Sequence, residues 1–117
     1  MSRSSSAALA RVADAAPVFA ALGDPTRLAL VARLCGGGPA SIATLTHGAG
    51  VSRQAVSKHL RALAEADLVR CTRLGREQIY ELEPRRLELA RQCLERISRE
   101  WDLALGRLKA FVEAADS

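Results

Sequence analysis

The chain is poor in aromatic residues, with two Phe, one Tyr and one Trp among 117. That scarcity excludes a platform on which a single-stranded RNA reader stacks bases. Histidine is as scarce: His47 and His59 are the two, and none follows residue 59. A histidine-based zinc site on the C-terminal segment is therefore excluded. Cys35, Cys71 and Cys93 stand far apart without Cys-x-x-Cys spacing. An odd, dispersed set of this kind is no disulfide framework. No run approaches the ~20 apolar residues of a membrane span. The Ser-rich start is followed by an apolar run broken at Arg11 and Asp14, a poor signal-peptide core. The reading is a cytosolic protein that makes no membrane contact. A Gly-rich phosphate loop, a metal-ligand cluster and a nucleophile–His–acid set in a supporting context are also missing, so neither an enzyme nor a cofactor is expected.

What the chain has is helix-forming material and one basic segment. Ala and Leu supply a third of the residues, and both lose little on entering a helix. Hydrophobic residues make up 49%, enough for one modest core in a chain of this length. Residues 51–76 hold six basic groups (Arg53, Lys58, Arg61, Arg70, Arg73, Arg76) against Glu65 and Asp67, which equals the whole net charge of +4. A neutral scaffold carrying one cationic segment points to an anionic polymer.

Residues 1–6 read as a disordered start and 7–117 as one domain. Between Ala7 and Leu22, Leu9, Val12, Ala16 and Phe19 recur at helical spacing, with Pro17 as a kink or break. Gly23 can close that helix in a left-handed conformation. Asp24 then fits an N-cap, with Pro25 at the first helical position. Leu28, Val31, Ala32 and Leu34 form the expected buried face of the second helix, which stops at Gly36-Gly37-Gly38-Pro39. Ser41 caps a short third helix with Ile42 and Leu45 inward. Ser52 caps a fourth that runs to about Ala66, so residues 41–66 read as a helix-turn-helix. From Leu68 the period becomes that of strands. Leu68–Leu74 and Gln78–Leu82 form a two-stranded hairpin over residues 68–83, with Val69 and Cys71 alternating in one strand, Tyr80 and Leu82 in the other. The hairpin is too small to stand without packing on the helices.

Pro84 starts the last helix, 85–114. Leu87, Ala90, Leu94, Ile97, Trp101, Ala104, Leu108 and Phe111 are spaced alternately by three and four, an a/d seam over more than three heptads. So small a domain lacks the surface to bury it. The seam predicts a partner helix, most simply its own copy in a twofold homodimer.

On a wheel of 100° per residue, Ser57, Lys58 and Arg61 fall within about 60° of Gln54, and Val56, Leu60 and Leu63 fall opposite. Ser52 and Arg53 stand at the N-terminus of this helix, where free N–H groups and the dipole favour anions. Arg and Lys can address guanine or phosphate, and Gln can pair with adenine. In the hairpin, Arg73 and Arg76 flank Gly75 and can lie along phosphates or in a narrow minor groove. Arg70 reads either as a third such contact or as charge protecting a strand edge. His59 sits on the inner flank of its helix and reads as a packing residue.

The runs Phe19–Leu28 (FAALGDPTRL) and Val51–Val69 (VSRQAVSKHLRALAEADLV), with the hairpin's Gly75-Arg76 and Tyr80-Glu81-Leu82, resemble the ArsR/SmtB family of winged-helix repressors over about residues 15–83. The resemblance implies a mainly α chain with a small β-hairpin, a winged helix-turn-helix dimerised through its N- and C-terminal helices. It implies a cytoplasmic, nucleoid-associated bacterial regulator that binds an operator in double-stranded DNA. Its recognition-helix contacts carry over to Ser52, Arg53, Gln54, Ser57 and Lys58, with Arg61 added from the wheel; its wing contacts carry over to Arg73 and Arg76. Dimer contacts are expected from Leu9, Val12 and the seam. The family's metal sensors place paired cysteines in the third helix, where this chain reads Ser41-Ile-Ala-Thr-Leu-Thr46 without a thiol. No metal is expected. The inducer stays open, as does a sensing role for the cysteines. An acidic protein could also meet the same basic face.

Overall fold

A computed structural model describes residues 3–116, with side chains from residue 11 onward. The elements run α1 (Arg3–Leu22), α2 (Pro25–Gly37), β1 (Ala40–Ser41), α3 (Ile42–Thr46), α4 (Arg53–Glu65), β2 (Val69–Leu74), β3 (Glu77–Leu82) and α5 (Pro84–Ala115). α1 and α5 pack together, α4 crosses α2 and α3, and the sheet covers one end of α4. α1 begins at Arg3, so residues 3–6, expected to be disordered, are helical, and Pro17 lies within α1 without ending it. Of the expected disordered start, Met1 and Ser2 lie outside the described residues.

The core is aliphatic. Val18, Leu30, Leu45, Val56, Leu60, Leu63 and Leu68 are fully buried, and Tyr80 is the aromatic that joins them. All three apolar positions assigned to α4 are in this set. In α1 the buried stripe is Ala15, Val18 and Ala21, while Val12 and Ala16 are exposed. In α2 it is Leu30, Val31 and Leu34; Leu28 is 53% exposed and Ala32 is exposed too. The expected α2 face holds at Val31 and Leu34 and fails at Leu28 and Ala32, because Ala-rich helices offer several apolar faces and only the neighbouring elements choose among them.

The corner between α1 and α2 is closed by Asp24. Its Oδ1 accepts from the backbone N–H of Thr26 (2.9 Å) and Arg27 (3.0 Å), with Pro25 opening the helix. Gly23 has no positive φ, so the expected left-handed closure is absent, and the Asp24 cap turns the chain instead. The Arg27 hydrogen bond, opposed by desolvation and helped by the His59 ring 3.8 Å away, holds the Asp24 carboxyl below its ordinary value. A depressed carboxyl stabilises the fold above about pH 4 and loses that contribution as pH falls through its folded value. Asp24→Asn keeps a capping oxygen but loses the charge. The wild-type Tm should exceed the variant's at pH 6, and the gap should close below about pH 4; thermal melts across that range check it.

The end of α4 is also locally determined. Asp67 takes a left-handed φ of 59°. The Leu68 N–H then donates to the Leu63 carbonyl (3.0 Å) and the Asp67 N–H to that of Ala64 (3.0 Å). This is a Schellman closure, and it sets Leu68 over Leu63 in the core. From there β2 leaves at a fixed angle. β3 pairs with β2 from Val69↔Leu82 to Leu74↔Glu77, and with β1 through Ala40↔Tyr80 and Ser41↔Ile79. The sheet thus has three strands in the order β1-β3-β2, one more than the expected hairpin. Two residues behind Pro39 carry too little pattern to be seen as a strand without their partner.

α5 spans 32 residues, about 48 Å, in a molecule 69 Å long. Here the expected seam is corrected at its start. Ala90 is only 5% exposed and Leu87 packs against the same core, so both are used within the subunit. From Leu94 onward the stripe has no cover: Leu94, Ile97, Trp101, Leu108 and Phe111 are all exposed, as is Val12 of α1. Ala104 is exposed on the same stripe. Leu9 falls in the backbone of α1, with its side chain outside the described set. Among the described residues no helix is long and apolar enough to cross a membrane.

Candidate nucleic-acid interface

α3 and α4 are both started by serine. Ser41 Oγ accepts from the Thr44 N–H (3.2 Å) and Ser52 Oγ from the Ala55 N–H (3.1 Å). The Ser52 side chain is thereby committed to its own helix, and what it offers outward is the first turn it organises. The turn between the helices uses Gly48 and Gly50 at positive φ. A clamp from α2 fixes α3: the Arg33 guanidinium donates to the carbonyls of Thr44 (2.8 Å), Leu45 (2.6 Å) and His47 (3.0 Å). These acceptors sit at the C-terminal end of α3, where carbonyls lack helical partners and the dipole favours a cation. Arg33 was not singled out from sequence, since an arginine on a surface helix carries no mark of a target eleven to fourteen residues away.

With its apolar face against the core, α4 turns Arg53, Gln54, Lys58 and Arg61 to solvent, while Ser57 is half-buried at the edge. The wing formed by β2 and β3 stands beside the start of α4. Alternation along β2 puts Val69, Cys71 and Arg73 on one face, opposite Leu82, Tyr80 and Gln78 of β3. Val69 and Tyr80 bury that face, and further out it opens into a cleft of about 220 Å³ whose polar lining is Ser41, Arg53, Arg73, Arg76, Gln78 and one acidic residue, Glu77. The first turn of α4 and the wing tip therefore share one concave surface. Ser41 and Gln78 were not foreseen in it; strand pairing brings them there.

Charge separates this surface from the rest of the molecule. Arg70 is paired with Glu81 (3.5 Å) and Glu83 (3.3 Å), an ion-pair ladder across the wing that neither of its two readings anticipated. Arg86 meets Asp67, and Arg91, Arg96 and Lys109 pair along α5. Arg53, Lys58, Arg61, Arg73 and Arg76 form no ion pair among the described residues. Arg73 instead donates from Nε to the Gly75 carbonyl (3.3 Å), which braces the turn. Unpaired cations converging on one face are what neutralises phosphate and releases its counterions.

The remaining candidates lie apart from this face. His59 is half-buried against Asp24. Cys35 and Cys71 are exposed and Cys93 is half-buried on α5. Cys71 faces Tyr80 across the sheet; burial first, then the hydrogen bond with that thiol, push the Tyr80 hydroxyl above its ordinary value.

A short third helix, a capped fourth helix with a cationic outer face, and an adjoining β-wing define a winged helix-turn-helix protein. A family profile described as a helix-turn-helix domain matches residues 22–72. The HTH-type transcriptional regulator Rv2034 of Mycobacterium tuberculosis is 41% identical over 85 residues, 73% of this chain and 76% of that one. An ArsR-like transcriptional regulator from Rhodococcus sp. RHA1 superposes with a TM-score of 0.68 at 40% identity, over 86% of this chain and 93% of its own. The transcriptional repressor BigR from Xylella fastidiosa gives a TM-score of 0.63 at 27% identity, over 79% of this chain and 92% of its own. The chain belongs to the ArsR family of transcriptional regulators, a class that is not enzymatic.

Proposed function

We propose that this chain is a cytoplasmic repressor that binds an inverted-repeat operator as a homodimer. The observation that carries the reading is the shared cleft, where Arg53 of α4 and Arg73 and Arg76 of the wing outnumber the single acidic side chain, Glu77, and form no ion pair among the described residues. Arg53, Gln54, Ser57, Lys58 and Arg61 meet the major groove, Gln54 and Arg53 at base edges and the others at base or backbone. Arg73 and Arg76 follow the adjoining phosphates. The uncovered stripe of α5, with Val12 of α1, joins two copies, and a twofold axis then sets half-site centres about 34 Å apart. Repression, the role of BigR in Xylella fastidiosa, follows when such a dimer covers a promoter.

The test is gel retardation and footprinting of the DNA upstream of the gene across a salt series. The expected result is a protected inverted repeat and steep salt dependence, with Arg76→Ala lowering the salt slope by about one unit at every sequence. No retardation at low salt would refute DNA binding and leave an acidic protein as the target of this face.

A further inference from the structure

We propose that Leu74 is an apolar probe of the minor groove, carried at the wing tip between two arginines and lodged against a base step. The proposal rests on the DNA-binding reading above and adds a sequence-sensing residue to it. Leu74 ends β2 and pairs with Glu77, so Gly75 and Arg76 alone make the turn. Gly75 has a φ of 64° and Arg76 does not adopt a positive φ, the pattern of a tight type II′ hairpin. The tip is short and its direction is set by the strands, not by a floppy loop.

The fold makes no use of a leucine there. Val69 alone carries β2 into the core, and every residue from Arg70 to Leu74 is exposed. Leu74 is 68% exposed. A lone surface leucine is ordinary; its company is not. Arg73 and Arg76 flank it without ion pairs, and alternation sends Leu74 to the face opposite Arg73. When the arginines take phosphates, the tip is held at a groove mouth, and the side chain between them has no charge to offer the backbone. What suits it is the apolar wall of deoxyribose and the gap of a base step. Leucine is among the residues that wedge into minor-groove steps and partly unstack them. Pyrimidine–purine steps unstack most easily, so Leu74 selects sequence at positions that no base-edge hydrogen bond reads.

The experiment uses the full chain and duplexes it selects from a random pool of about 30 base pairs, the length that covers two half-sites a turn apart with their flanks. 2-Aminopurine is placed in turn at each step flanking the half-sites. Wild type should raise the fluorescence at one step per half-site. Leu74→Ala should abolish that rise, lose the preference for a pyrimidine–purine step there, and bind roughly three- to tenfold more weakly with an unchanged salt slope. Leu74→Met should retain all three properties. Leu74→Ala that keeps wild-type fluorescence and affinity overturns the proposal and leaves DNA binding intact. So does a changed salt slope, which would mark a lost phosphate contact. If wild type selects no duplex, the DNA-binding reading fails and this one with it.

Discussion

Replacing Arg53 and Gln54 with alanine is expected to weaken operator binding by about 1–3 kcal/mol each and to relax base preference at one position per half-site. Arg53 is the first residue of α4 and Gln54 the second, both exposed, with Ser52 capping the turn they stand on. A helix entering the major groove presents its N-terminal residues to base edges. The cap matters here because it fixes the backbone from which the two side chains project: Ser52 accepts from the Ala55 N–H, so the turn is ordered before any DNA arrives. Neither side chain touches the core, which α4 reaches through Val56, Leu60 and Leu63. The variants should therefore melt with the wild type, and both substitutions favour helix. Binding isotherms on the selected operator and on single-base changes, run beside thermal melts, separate a lost contact from a lost fold. A pair of variants with unchanged affinity and unchanged base preference would mean that α4 does not read DNA.

Lys58 and Arg61 differ from these two in kind. They follow one and two turns later on the same outer face and carry no ion pair among the described residues. On the proposed reading their charge acts on phosphates at any sequence, so their loss should lower affinity and salt slope together while leaving base preference intact. Arg70 shows the opposite case. It lies in the same basic segment, yet Glu81 and Glu83 already neutralise it. Breaking an exposed pair of this kind is worth at most about 1 kcal/mol to the fold. A count of charges along the sequence treats Arg70 and Arg73 alike. The sheet separates them, because the pairing register puts Glu81 directly opposite Arg70 and Gln78 opposite Arg73.

What could be read without coordinates follows from how local each determinant is. The caps at Asp24, Ser41 and Ser52, the stop at Gly36–Gly38 and the amphipathic wheel of α4 depend on residues within one or two turns, and all appear in the structure. The exposed cationic face of α4 follows from that wheel. Features decided by distant neighbours were missed. β1 exists only because Ala40 and Ser41 find Tyr80 and Ile79. Leu30 rather than Leu28 is buried because α2 is chosen from one side by α4 and β3. The Arg33 clamp joins elements whose proximity the sequence does not announce. The start of the α5 seam was misread for the same reason: Leu87 and Ala90 fit a heptad, but α1 packs on α5 and the subunit core takes them first.

That shortened seam gives the other large effect. Trp101→Glu is expected to convert the protein to a monomer at micromolar concentration and to lower operator affinity by about 10²–10⁴-fold, since each half-site is then bound without its tethered twin. Trp101 is 64% exposed and Phe111 73%, on a helix that continues about 38 Å beyond Ala90, the residue it buries in its own subunit. Leu94, Ile97, Trp101, Leu108 and Phe111 fall on one stripe about 100° wide, the width of a face that packs on another helix. Left in water, that stripe is a run of exposed large apolar side chains of the kind that marks an interaction surface. The helix can hold its shape meanwhile through ion pairs on its other faces, Arg91 with Glu88 and Glu95, Arg96 with Glu100, and Lys109 with Glu113, each worth a few tenths of a kcal/mol. A twofold interface presents the same patch from both sides, so a glutamate near its middle puts two carboxylates into one apolar layer, where each loses hydration without gaining a cation. Trp101 lies outside the subunit core, so the monomer should retain its α4 and wing and still bind DNA weakly, with the salt slope of one half-site. Sedimentation of wild type and variant at about 10 µM, well above the Kd of a tight dimer, reads the first half of the expectation, and operator titrations read the second. A wild type that sediments as one subunit, or a Trp101→Glu variant that remains dimeric with full affinity, would move the dimer contact off α5 and require another surface to bring two recognition helices to successive turns of the same duplex.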